Sequence, residues 1–255
     1  MALTPDEILA LKIGDRSVGE ALESAIQSGA VRQGADGLLE LPGGPRRSYF
    51  AFIDNGPAMN CVFLNSFLFS QVYRKAAVPK GCEPCYKVKL VPRSLRELVA
   101  LYEVARAIPC GSKWGVDFFN PHSQNLYAGY FFVDGLEAAR ALVPLVREAI
   151  AGNAKIGDDL PIVIKRGCSN YEVALGPSES YSFRPELSEI ESYLQTRWRP
   201  PKLSTKSLAE ILYGTWVPFA FQIGDDSYLD FTGGKPLHRK TQTYDLTEAV
   251  PAQDG

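Results

Sequence analysis

The chain has 255 residues, 45% of them hydrophobic and 22% charged, with a formal net charge of −2. That is ordinary globular composition, with enough apolar residues for one large core or two smaller ones. The slightly acidic balance argues against a polyanion as the main partner, and no apolar run nears the ~20 residues of a membrane-spanning helix.

The opening stretch is acidic around Asp6 and Glu7, so it does not read as a basic secretory leader, and a cytoplasmic protein is expected. Thr4-Pro5-Asp6-Glu7 has a cap, a proline at the first helical position and a capping box, which predicts a helix to about Lys12. Residues 17–28 predict a second helix, with Val18, Ala21, Leu22 and Ile26 on one face. Residues 34–47 form a Gly/Pro-rich connector with a short strand at 38–41. Aromatic residues predict a strand at 48–53, closed by Asp54-Asn55-Gly56-Pro57. Residues 60–73 are apolar without a clear period, and their length favours a helix. Cys61, inside that stretch, reads as a small buried hydrophobe outside any site.

Residues 86–91 alternate apolar and basic, predicting a strand covered on one face. Ser94-Leu95-Arg96-Glu97 opens a helix to about Ile108, and Pro109 stops it. Strands follow at 113–119 and 126–133, joined by a turn at Asn120-Pro121-His122-Ser123. A helix spans 134–151 with Pro144 as a kink or break, and an apolar strand spans 161–166. The order β-α-β-β-α-β predicts an α+β fold. Its centre is a ferredoxin-like (βαββαβ) antiparallel sheet with both helices on one face, extended by N- and C-terminal helical and hairpin segments. Toward the C-terminus, helices are expected at 188–198 and 204–212, a hairpin at 216–231 around Gly224-Asp225-Asp226, and a polar tail. The expected organisation is residues 1–80 as an N-terminal extension packed on the core, 81–185 as the ferredoxin-like domain, and 186–255 as C-terminal helices, hairpin and tail.

The chemistry centres on Cys82-Glu83-Pro84-Cys85, a paired-thiol hook leading into the first strand of that domain. In a βαββαβ sheet the starts of strands one and two and the ends of strands three and four share one edge. Cys85 precedes strand one, Cys110 precedes strand two, and Cys168 follows strand four. Cys82, Cys85, Cys110 and Cys168 are therefore expected to meet as metal or cluster ligands. Gly81, Gly111, Ser112, Gly167 and Ser169 leave room beside the thiols, and Lys80, Lys113, Lys165 and Arg166 supply positive charge that favours thiolates.

Structural zinc usually takes two paired hooks or a hook with histidines. This chain has one hook and only two histidines, His122 and His238, neither well placed. All-thiolate ligation by one pair and distant singles points to iron–sulfur chemistry. The expectation is an iron–sulfur protein of [4Fe–4S] type in redox chemistry, an oxidoreductase or lyase being favoured over a simple electron carrier. The partner is a redox protein or a small-molecule substrate; the oligomeric state is left open. If one thiol is free, Glu83, Tyr171 and Glu172 are candidate acid, base or gate residues. Two alternatives stand beside this reading: a structural zinc site, and an RNA platform on the sheet. Strand 126–133 loosely resembles the aromatic strand of an RNA-recognition motif, but Gly129 interrupts the pattern and no Lys or Arg leads it. Nucleic acid and membrane are not expected partners.

Overall fold

Two reciprocal capping boxes set the first helices. The Thr4 amide donates to Glu7 Oε2 (2.8 Å) and the Glu7 amide to Thr4 Oγ1 (3.3 Å), opening α1, Pro5–Ala10. Ser17 and Glu20 repeat the exchange at α2, Val18–Gln27. Each box satisfies two amides that the first helical turn leaves without partners. Two short hairpins bracket α2: β1 (Lys12–Ile13) with β2 (Arg16–Ser17), and β3 (Arg32–Gln33) with β4 (Leu39–Glu40). This is a computed structural model, and it describes residues 3–42, 49–55, 60–118, 123–201 and 206–237.

The centre is a five-stranded antiparallel sheet with helices, an α+β architecture. Its strands are β5 (Phe50–Ile53), β6 (Cys85–Leu90), β7 (Ser112–Val116), β8 (Tyr127–Asp134) and β9 (Ile162–Arg166), in the order β5-β7-β8-β6-β9. Helix α3, Leu95–Ala105, joins β6 to β7, and α4, Leu136–Ile150, joins β8 to β9. Pro144 lies inside α4 without ending it. Val88 and Leu90 of β6, Trp114 and Val116 of β7 and Tyr127 and Phe131 of β8 share one core with Leu98, Leu101, Leu142 and Val146. Both helices thus cover the same sheet face, as alternation along a strand requires.

The C-terminal segment closes that helical side. The sequence predicts a hairpin over 216–231; the structure has α7, Val217–Ile223, and a 3-10 turn, Asp226–Phe231. Strand preference of the aromatics gives way to tertiary packing: Trp216, Val217, Phe219 and Ala220 recur at helical spacing and all reach the core. Asp225 anchors the segment, accepting hydrogen bonds from the Leu95 amide (2.7 Å) and the Tyr127 hydroxyl (2.8 Å).

A second core lies elsewhere. It gathers Ile8, Val18 and Leu22, the helix Val62–Val72, and α6, Glu186–Gln195, through Leu187, Ile190 and Leu194. Val62–Val72 is a wide, π-type helix; the Tyr73 amide donates to Leu68 O, five residues back (2.7 Å). Helix α5, Ser169–Leu175, follows β9 where the sequence shows no helical period. Strand β7 stops at Val116, short of the expected residue 119; most of the expected turn after it, with His122, and also His238, fall outside the described residues. No helix among the described residues is long and apolar enough to cross a membrane.

Candidate functional site

Alternation along β6 sends Val88 and Leu90 to the helical core, and therefore Cys85, Lys87 and Lys89 to the opposite face. Lys113 of β7 and Tyr130 and Phe132 of β8 share that second face through the antiparallel register. Buried lysines are rare unless paired, so this face needs a chemical reason. Lys87, only 5% exposed, donates to Gly167 O (2.9 Å) and Cys168 Sγ (3.2 Å). Lys89 forms an ion pair with buried Asp117 (3.1 Å), whose Oδ2 also accepts from Tyr130 Oη (2.8 Å) and the Ser123 hydroxyl.

The thiols come from three chain segments, one of which, the hook, supplies two of them. Cys85 starts β6. Cys82 ends the 3-10 turn Lys80–Cys82, and its Sγ lies 3.4 Å from Tyr171 Oη. Cys168 caps α5 after Gly167, whose positive φ (65°) turns the chain out of β9. Cys61 immediately precedes the wide helix. That helix is tied to α5 by paired side-chain amides, Asn65 Nδ2 to Asn170 Oδ1 (3.2 Å) and Asn170 Nδ2 to Asn65 Oδ1 (2.7 Å), and by Phe69 packing edge-on to Tyr171 at 4.4 Å.

Electrostatics define the group. Burial alone pushes all four thiols up. At Cys168 the Lys87 ammonium, its hydrogen bond and one from Asn65 outweigh burial and hold the thiol below its usual value. Burial dominates at Cys61, Cys82 and Cys85, with charge on Cys168 raising each further; Cys85 is pushed up to about 11. Burial disfavours the Lys87 charge, but the surrounding thiols reverse this and hold its pKa above the usual value. The arrangement stabilises one thiolate–ammonium pair amid three neutral thiols. A limiting dose of iodoacetamide at neutral pH should accordingly label Cys168 before Cys82 or Cys85 in the reduced protein, read by peptide mass spectrometry; prior labelling of Cys85 would contradict this ordering.

Cys82, Cys85 and Cys168 act on one another electrostatically, and Cys110 is not with them. It does lie at the shared sheet edge, its Sγ donating to Phe132 O (3.2 Å), yet it packs against the helical core. Two residues before Ser112 and four before Trp114, it has their parity and takes their face. Cys61, read from the sequence as an isolated hydrophobe, instead acts on Cys82 and Cys85. Tyr171 is fully buried at the thiols. Glu83 is paired with Lys80, and Glu172 with Lys165, in salt bridges that leave both carboxylates partly exposed.

Among the described residues, no three His, Cys, Asp or Glu side chains are disposed to hold a single metal ion. A multi-iron cluster, with sulfide between its metals, spreads its ligand sulfurs wider than one ion does. Compared with known proteins, the chain matches no family model, no curated protein and no solved structure.

Proposed function

We propose that Cys61, Cys82, Cys85 and Cys168 hold an iron–sulfur cluster of [4Fe–4S] type and that the protein works in redox chemistry. The observation that carries this reading is that four thiols, from three chain segments, act on one another, and that three of them also act on one buried lysine bonded to Cys168. Four thiolates are the usual donor set for such a cluster, and nearby positive charge offsets the negative charge they bring. The cluster would supply one-electron transfer. Lys87 would steady the Cys168 thiolate, and Tyr171 would exclude water and offer its hydroxyl to Cys82. With four protein ligands every iron is held, so electron exchange with a redox protein or small molecule fits this site better than substrate binding at an open iron.

We read the sheet as a ferredoxin-like arrangement. Supporting this, β7-β8-β6-β9 places the four strands of the βαββαβ unit in the order second, third, first, fourth, with β5 added outside. The open face of such a sheet is where an RNA platform would stack bases. Here Lys87 and Tyr130 on that face are buried, which favours the thiol site.

Anaerobic purification with iron and sulfide analysis, an absorbance scan and EPR of the reduced protein tests the proposal. A brown protein with about four irons per chain is the result expected of a cubane. A colourless protein carrying stoichiometric zinc would overturn it in favour of a structural zinc site.

A further inference from the structure

We propose that Lys113 is the second cation, beside Lys87, that balances the charge of the cluster and thereby sets its reduction potential. This rests on the reading of the four thiols as cluster ligands.

Four lysines lie on this sheet face, Lys87, Lys89, Lys113 and Lys165, and Lys165 is matched to Glu172. Lys87 is matched to Cys168, and Lys89 to Asp117. Lys113 has no hydrogen-bond or ion-pair partner among the described residues. Its Nζ sits over two rings, 4.5 Å from the centroid of Phe50 and 4.8 Å from that of Tyr130. Ring faces attract an ammonium but carry no net charge with which to neutralise it. Asp117 is already committed to Lys89, Tyr130 and Ser123. The face therefore holds one cation more than its own anions match.

The field of Lys113 reaches the thiols. It lowers both Cys61 and Cys168, while burial and the like charge of Lys87 push Lys113 below its ordinary value. Cys168, Cys61 and Asp117 pull it the other way. An oxidised four-iron cubane with four thiolates is a net dianion, and Lys87 with Lys113 supplies the two matching charges. Reduction adds one more negative charge, so the potential follows the positive charge nearby.

The test is an EPR-monitored redox titration of the anaerobically reconstituted protein, comparing wild type with Lys113→Met, Lys113→Gln and Lys113→Arg. Both neutral variants are expected to keep the cluster with a more negative midpoint, and Lys113→Arg to stay near wild type. Either neutral variant suffices should the other fail to fold. Equal midpoints at equal iron content would overturn the inference and leave the ligand assignment standing. If wild type itself takes up no cluster, the ligand assignment and this inference fall together.

Discussion

Cys61→Ser is expected to lose its iron in anaerobic reconstitution, whereas Cys110→Ser keeps a wild-type iron content and spectrum. Changing a residue that merely supports a ligand already costs roughly 10–100-fold in metal affinity, so loss of a ligand should cost at least that. The pair is diagnostic because the two residues resemble each other in every simple respect. Both are free, partly buried, and raised in pKa chiefly by burial. They differ in which side of the sheet they occupy. Cys61 feels Cys168, Lys87 and Lys113. Cys110 has none of them among its influences, only the Phe132 carbonyl to which its thiol donates. Cys82→Ser, Cys85→Ser and Cys168→Ser should follow Cys61→Ser. Full iron in Cys61→Ser, or its loss in Cys110→Ser, would restore the ligand set expected from the sequence. Iron and sulfide assays alongside circular dichroism separate ligand loss from unfolding.

The different placings of Cys110 and Cys61 show what the sequence carries and what it hides. Apolar alternation in 86–91, the capping box at Ser94 and the apolar run at 162–164 placed the strands and helices closely enough to identify the common edge of Cys85, Cys110 and Cys168. The edge alone was insufficient. Period-two parity also assigns a face, and Cys110 shares parity with Trp114, whose bulk belongs to the helical core.

Cys61 was harder to place. The helix that follows it has Phe63, Leu64, Phe67, Leu68, Phe69 and Val72 buried on several sides, and its bonding is wider than the α-helical repeat. A helix buried all round has no apolar stripe to reveal its direction. Helix α5 is hidden for a different reason: seven residues give too little period to read. At the C-terminus, aromatic strand preference in 216–223 was overridden by packing of Trp216 and Phe219 against the sheet's helical side.

The thiol hook also depends on a residue that sequence reading gave no role. Glu191→Ala is expected to destabilise the protein by about 1–3 kcal/mol, chiefly because it leaves the part-buried Lys80 amide without its acceptor. The Glu191 carboxylate, reaching across from α6, accepts from the amides of Lys80 and of Gly81 (2.8 Å) and from Tyr73 Oη (3.3 Å). It thereby fixes the turn that delivers Cys82. A Cβ at Gly81 would come within 2.9 Å of Leu64 and 3.2 Å of Glu191, so a larger residue there would press on both side chains. Burial raises the carboxyl pKa, and the two amides and Tyr73 only partly oppose it. A raised acid binds its proton more tightly in the folded state. Its contribution is therefore greatest at low pH and declines as pH climbs from the ordinary glutamate range through the raised value. Glu191→Gln keeps one acceptor oxygen and removes the titration, so it should cost less than Glu191→Ala and flatten that part of the stability–pH curve. Denaturant unfolding across pH 4–8 measures both effects, and alkylation of Cys82, now buried, reports release of the hook directly. If Cys82 stays protected and stability is unchanged in Glu191→Ala, the hook is held by the packing of Leu64 and Tyr171 alone, and Glu191 has no part in presenting the thiol.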